Sequence, residues 1–211
     1  MNKYNEQSRN NIICFLEDYD YRERRETFEL VAKELQKRNL SWALGCSMNL
    51  FFRGIVDDFN DIDIITNETS IKDLKETLEG LGAVLVGTGG NGYCESDYYY
   101  HFQLGRVDID VISGFRILTY NSQYYYCYKK QQLDYFTVTD KLSINLYPLE
   151  AMYILYYMME GWQPRRKFKR DLIQKFLENQ EVLLHRDILE EALTISLPSW
   201  IRWDIKNLIT K

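Results

Sequence analysis

Proline is scarce in this 211-residue chain, with three residues, and glycine contributes eleven. That scarcity excludes a low-complexity, collagen-like or linker-dominated protein. Cysteine is sparse as well: Cys14, Cys46, Cys94 and Cys127 include no pair at metal-ligand or CxxC spacing. A zinc knuckle and a dithiol redox pair are thereby excluded. No apolar run approaches the ~20 residues of a membrane span, and the start "MNKYNEQSRNN" has no apolar signal core. The expectation is a cytoplasmic protein with reduced thiols and no membrane partner. Positive charge is in deficit, with 26 Lys and Arg against 31 Asp and Glu, a net charge of −5. A protein that holds a nucleic-acid polymer along its surface is usually basic. The balance therefore argues for a small substrate, with "RRKFKR" (165–170) as one local basic stretch.

Apolar residues make up 45% and charged residues 27%, the composition of a soluble globular chain. The length suits one large domain, or one domain with a helical appendage. Aromatics reach 15%, including 17 tyrosines, and crowd into "DYYYHF" (97–102) and "YNSQYYYCY" (120–128). Both stretches read as strands, since aromatic rings suit a pleated, half-buried surface. A stacking platform for a base is the alternative.

Periodicity supplies the elements. The segment 23–38 places Phe28, Leu30, Val31 and Leu35 near one helical face. "SWALGCS" (41–47) is a short strand entering a turn, and "MNLFFRG" (48–54) a short helix closed by Gly54. "DIDIIT" (61–66) alternates as a strand does. The segment 70–82 is an amphipathic helix, with Ser70 as N-cap and Gly82 as its stop. "AVLVGTGGNGY" (83–93) is a strand running into a glycine-rich hairpin turn; it lacks the residue order of a P-loop. Paired strands follow around Gly105, then strands in "YYYCY", "DYFTVT" and "SINLYP". From Pro148 the pattern turns helical, with helices expected in 149–161, 165–179, 185–193 and 198–209. The fold class is thus α/β (α+β): a mixed sheet with flanking helices over residues 1–147, then a helical subdomain over 148–211.

Two Asp-x-Asp pairs carry the chemistry. Residues i and i+2 of a strand share a face, so Asp61 and Asp63 project together, as do Asp108 and Asp110. Like charges held this close persist when a cation neutralises them or one acid is protonated. Oxygen-only ligands at that density suit Mg²⁺, which keeps waters and accepts phosphate oxygens. The bland reading is that both pairs line the solvent face of an amphipathic sheet. "GCS" (45–47) shifts the balance. Gly45 lets backbone approach a ligand, and Ser47 at a helix start can donate to phosphate beside free N–H groups.

On these residues, "LGCSMNLFFRG…DIDI" followed by "VDIDV", the chain resembles the polymerase-β-type nucleotidyltransferases, in the small bacterial branch that contains aminoglycoside and lincosamide nucleotidyltransferases. The family pattern is a Gly-Ser turn and short helix, an hDhDh strand (h apolar), and a third acid on a later strand. Gly45 and Ser47 match the turn, and Asp61 and Asp63 match the paired metal ligands. Asp108 best matches the third acid, with Asp110 as the alternative one pleat along. "YPLEAMYIL" (147–155) and "RRKFKRDLIQKF" (165–176) resemble segments that follow the catalytic sheet in several branches. There Arg166, Lys169 and Asp171 would sit near the nucleotide or shape the cleft. The match covers residues 41–115 and, more loosely, 147–177. It departs at Cys46, where a second small residue is usual, and at Tyr156, where lysine is frequent.

The resemblance implies an enzyme that uses two Mg²⁺ ions and ATP or another nucleoside triphosphate. It would transfer a nucleoside monophosphate to the hydroxyl of a small molecule such as an antibiotic, releasing pyrophosphate. Asp61 and Asp63 would hold both ions, and Asp108 would share the one that activates the acceptor hydroxyl. Cations such as Arg53 or Lys169 would offset triphosphate charge, although Arg53 is equally a solvated helix end. A homodimer or a protein partner is compatible with the family. It includes nucleotidyltransferase-fold members of toxin–antitoxin and defence systems that act on or bind another protein. His101 reads as a packed or hydrogen-bonded strand residue, His185 as surface, and Asp57 and Asp58 as loop acids.

Overall fold

The computed structural model describes residues 5–89, 94–119, 122–125, 128–160, 165–180 and 183–210. Two compact units divide the chain: Met1–Gly89, Ser96–Gly114 and Tyr128–Tyr147 in the first, and Gly90–Glu95, Phe115–Cys127 and Pro148–Lys211 in the second.

The first unit begins with α1 (Glu6–Glu17), capped where the Asn5 side chain accepts from the Ser8 N–H. α2 (Arg22–Lys37) turns Phe28, Val31, Ala32 and Leu35 into the core. Leu30, expected on the same face, is instead exposed. The short strand β1 (Trp42–Leu44) leads into α3 (Cys46–Phe52), and β2 (Ile62–Thr66) follows. α4 (Ile71–Gly80) comes next. Ser70 occupies its N-cap position, yet its hydroxyl accepts from the Ser41 N–H rather than from its own helix. The expected cap is therefore replaced by a tie to the start of β1. β3 (Val84–Thr88) and β4 (Cys94–Leu104) pair antiparallel; residues 90–93 of the glycine-rich turn lie outside the described residues. β5 (Val107–Thr119) runs on into the second unit. β7 (Asp134–Thr139) and β8 (Leu142–Leu146) form an antiparallel pair.

The sheet order is β3-β4-β5-β2-β1-β8-β7. β2 is parallel to β5 and antiparallel to β1, and β1 is parallel to β8. The inward face of β2 and β5 contributes Ile62, Ile64, Ile109 and Val111, all fully buried. α3 buries every residue from Ser47 to Phe52. Its Phe51 and Phe52 enter an aromatic cluster with Phe15, Tyr21, Phe28, Phe59 and Phe136. Phe15 and Tyr21 bring α1 and the turn after it into this cluster, so the N-terminal segment, unassigned in the sequence reading, packs as core.

In the second unit, β6 (Ser122–Tyr125) pairs with the far end of β5. Four helices follow: α5 (Leu149–Met159), α6 (Arg165–Glu178), α7 (Arg186–Ala192) and α8 (Ser199–Ile209). α5 is buried on every side, as its all-round apolar sequence requires. Its one carboxylate, Glu150, is paired by accepting from the His185 N–H at the start of α7. No helix among the described residues is long and apolar enough to cross a membrane.

Candidate active site

Parallel pairing of β2 with β5 sets Asp63 directly beside Asp110. Strand alternation keeps Ile62, Ile64, Ile109 and Val111 in the core and turns the acids to the other face. Asp61, just ahead of β2, joins them. One carboxylate oxygen from each of Asp61, Asp63 and Asp110 lies within 4.8 Å of the others. Asp63 is buried and the other two are partly so.

Asp110, rather than the Asp108 favoured by the sequence match, completes this cluster. Register sets Asp110 beside Asp63, whereas Asp108 falls level with Asp61, ahead of the start of β2, where its side chain turns to solvent. Its side chain is 49% exposed, against 18% for Asp110.

The turn before α3 is fixed to the same strand. The Gly45 N–H donates to the Asp63 carbonyl at 2.8 Å. A Cβ at Gly45 would lie 2.9 Å from Cγ1 of Ile65, so a side chain here would push the turn off β2. Cys46, at the first helical position, has φ of +40°. That left-handed conformation costs an L-residue roughly 1–2 kcal/mol; it gives a backbone reason for a small residue at this point. Ser47 donates from Oγ to Asp61 Oδ1 at 3.2 Å, linking the turn to the carboxylates.

Arg53 does not face this cluster. Its guanidinium is 9% exposed and ion-paired with Asp134, itself 8% exposed. It also donates to Asn49 Oδ1 at 2.7 Å and to the Tyr147 carbonyl at 3.2 Å. Neither a nucleotide contact nor a solvated helix end describes it. A charge this buried persists only when paired, and its role is to tie α3 to β7 and to the end of β8. Asn49, which sequence reading passed over, completes the network by donating to the Leu44 and Tyr147 carbonyls at 2.8 and 2.9 Å. A polar side chain inside the apolar run "MNLFF" was the available signal.

Asp58 accepts from the Tyr21 hydroxyl at 3.0 Å and pairs with Arg24 at 3.1 Å, while Asp57 accepts from Gln7 at 3.0 Å. Both tie α1 and α2 to the loop after α3. Lys169, Arg166 and Asp171 all lie on α6 of the second unit. Arg166 lies over the Tyr156 ring, and Asp171 pairs with Arg170.

Two donors from β4 meet Asp110. The His101 ring is hydrogen-bonded through Nδ1 to Asp110 Oδ1 at 2.6 Å. Tyr99, two residues back on the same face, also hydrogen-bonds Asp110. Burial, and then the Asp110 charge and that hydrogen bond, push the Tyr99 phenol far above its ordinary value, so it stays a donor. His101 is thus hydrogen-bonded, as its sequence suggested, and its partner is a site carboxylate.

The cluster fits a hard divalent cation. Its donors are carboxylate oxygens only, drawn from two adjacent strands, with nitrogen and sulfur ligands absent from the set. Among donor sets this is the type that Mg²⁺ or Mn²⁺ uses together with waters and phosphate oxygens.

No protein-family model matches the chain, and no curated protein matches its sequence. Solved structures do match. One is a Thermotoga maritima protein provisionally assigned as a nucleotidyltransferase, with a TM-score of 0.56 and 16% identity over 75% of this chain and 94% of that one. Another is ANT(2″)-Ia bound to adenylyl-2″-tobramycin, with a TM-score of 0.52 and 14% identity over 79% of this chain and 97% of that one. The solution structure of ANT(2″)-Ia, described as an antibiotic-resistance factor, gives 0.52 and 13% over 79% and 91%. At these identities the likeness is one of fold. The chain shares the fold of these solved nucleotidyltransferase structures.

Proposed function

We propose that this protein is a divalent-metal-dependent nucleotidyltransferase that moves a nucleoside monophosphate, AMP from ATP, onto a hydroxyl of a small molecule. The observation that carries the reading is the convergence of Asp61, Asp63 and Asp110 at the face of two parallel strands that turns away from the apolar core. The adenylylated tobramycin bound by ANT(2″)-Ia supports the choice of adenylate and of a small hydroxylated acceptor. ATP as donor agrees with a cytoplasmic setting.

Asp61, Asp63 and Asp110 would hold the Mg²⁺ ions. When bound, these would neutralise triphosphate charge and favour the deprotonated acceptor hydroxyl. Gly45 keeps the turn against β2, so that the Ser47 hydroxyl sits beside Asp61, where a triphosphate would lie. In the transfer, the acceptor oxygen bonds to the α-phosphorus and the bond to the bridging oxygen breaks. Pyrophosphate leaves, and the acceptor proton passes to solvent. Residues 1–147 would supply this chemistry.

The test is incubation with labelled ATP and Mg²⁺ against panels of aminoglycosides, lincosamides and bacterial metabolites. Pyrophosphate release with a labelled small product is the expected result. Absence of nucleotide transfer to every acceptor would overturn the reading.

A further inference from the structure

β4 does more than extend the sheet. His101 and Tyr99 project from it onto one carboxylate, Asp110, the member of the cluster that comes from β5. Asp61 is oriented differently, by the Ser47 hydroxyl from the turn ahead of α3. Two of the three acids are therefore held by independent supports on two different elements.

A carboxylate that ligates a cation is ionised and only accepts, so in the metal-binding state Nδ1 carries the proton and donates. At 2.6 Å the bond is short even for a charge-assisted pair. Nε2 stands 3.8 Å from Asp108 Oδ1, too far for a hydrogen bond. The ring is thus anchored through one nitrogen, and its anchor is Asp110. With Oδ1 engaged, the carboxylate is restrained in the rotamer that brings it to Asp61 and Asp63.

Resting on the nucleotidyltransferase reading, we propose that His101 is a positioning residue: its Nδ1–H fixes the Asp110 carboxylate for divalent-cation binding without itself touching the ion. The affinity of the site is then set partly from a strand that contributes no ligand. Outer partners that orient metal-ligating groups characteristically change affinity by about 10-fold to 100-fold when removed.

The experiment is Mn²⁺ titration of the nucleotide-free full-length protein, read by the electron paramagnetic resonance signal of free Mn²⁺. Wild type is compared with His101→Ala, His101→Asn, Tyr99→Phe and Asp61→Asn/Asp63→Asn, each checked for an unchanged thermal midpoint. The asparagine Nδ2–H₂ can replace the histidine Nδ1–H as donor. The expected result is Mn²⁺ binding weakened by about 10-fold or more in His101→Ala and largely restored in His101→Asn. Tyr99→Phe should have the smaller effect, and the double Asp variant should not bind. If His101→Ala binds Mn²⁺ as tightly as wild type while the double Asp variant does not bind, the positioning role is overturned and the metal site stands. If asparagine fails to restore what alanine loses, the donor role is likewise overturned. If wild type and the double Asp variant titrate alike, the metal reading itself falls, and this proposal with it.

Discussion

Asp61-Ile62-Asp63 and Asp108-Ile109-Asp110 are the same three residues placed on neighbouring strands, yet they end in different surroundings. On β2 both acids join the cluster, Asp63 from the ladder and Asp61 from just before it. On β5 only Asp110 joins, held by β4, while Asp108 is half exposed. The ladder with β5 begins at Ile62 and sets Asp110 beside Asp63; Asp61 and Asp108 both lie ahead of its first rung, and of these two Asp61, held by the Ser47 hydroxyl, joins the cluster. Register, which a single strand's sequence does not encode, decides which acid of β5 meets Asp63; side-chain partners such as Ser47 and His101 complete the set.

Substitutions can break this comparison. The largest effect is expected at β2. Asp63→Asn should lower the nucleotidyl-transfer rate by about 10³-fold or more, the several kcal/mol that a metal-held charge contributes to the transition state. Its thermal midpoint without metal should hold or rise, because one of three crowded negative charges is removed. The β5 pair should split. Asp110→Asn should behave like Asp63→Asn, and Asp108→Asn should stay within about 3-fold of wild type, the ordinary range for a residue outside the ligand set. Transfer rates measured at several Mg²⁺ concentrations check both.

Arg53 contrasts with the site acids because its charge serves the fold. Arg53→Met removes the guanidinium from a buried ion pair with Asp134, and should cost about 3–5 kcal/mol in urea denaturation. The smallest effect is expected at Cys46. Cys46→Gly should stabilise by at most about 1 kcal/mol, because relief of the left-handed strain exceeds the backbone entropy that glycine adds. A fall in stability would show that the thiol makes a contact worth more than the strain.

Much of this was legible in the chain. α2, α3, α4 and the strands around Gly105 follow from periodicity and from glycine stops, and the alternation in "DIDII" placed both acids on one face. What escaped depends on partners distant in sequence. Arg53 looked like a candidate phosphate ligand because nothing nearby shows that Asp134, 81 residues on, neutralises it. The hydrogen bond of His101 was legible as one of two readings, but its partner was not, because strand pairing brings Asp110 to it. α1 was passed over because its polar start hides the inward Phe15, and because Ser8 and Asn11, both polar, are buried only by donating to the Phe52 and Phe51 carbonyls of α3.

The central claim is that Asp61, Asp63 and Asp110 form a metal-dependent nucleotide site from which Asp108 is excluded. Mg²⁺-dependent binding of ATP, measured by isothermal titration calorimetry on wild type, Asp63→Asn, Asp110→Asn and Asp108→Asn, tests it most directly. Mg²⁺-dependent binding is expected in wild type and Asp108→Asn, and its loss in Asp63→Asn and Asp110→Asn. Retained binding in Asp110→Asn together with loss in Asp108→Asn would contradict the claim.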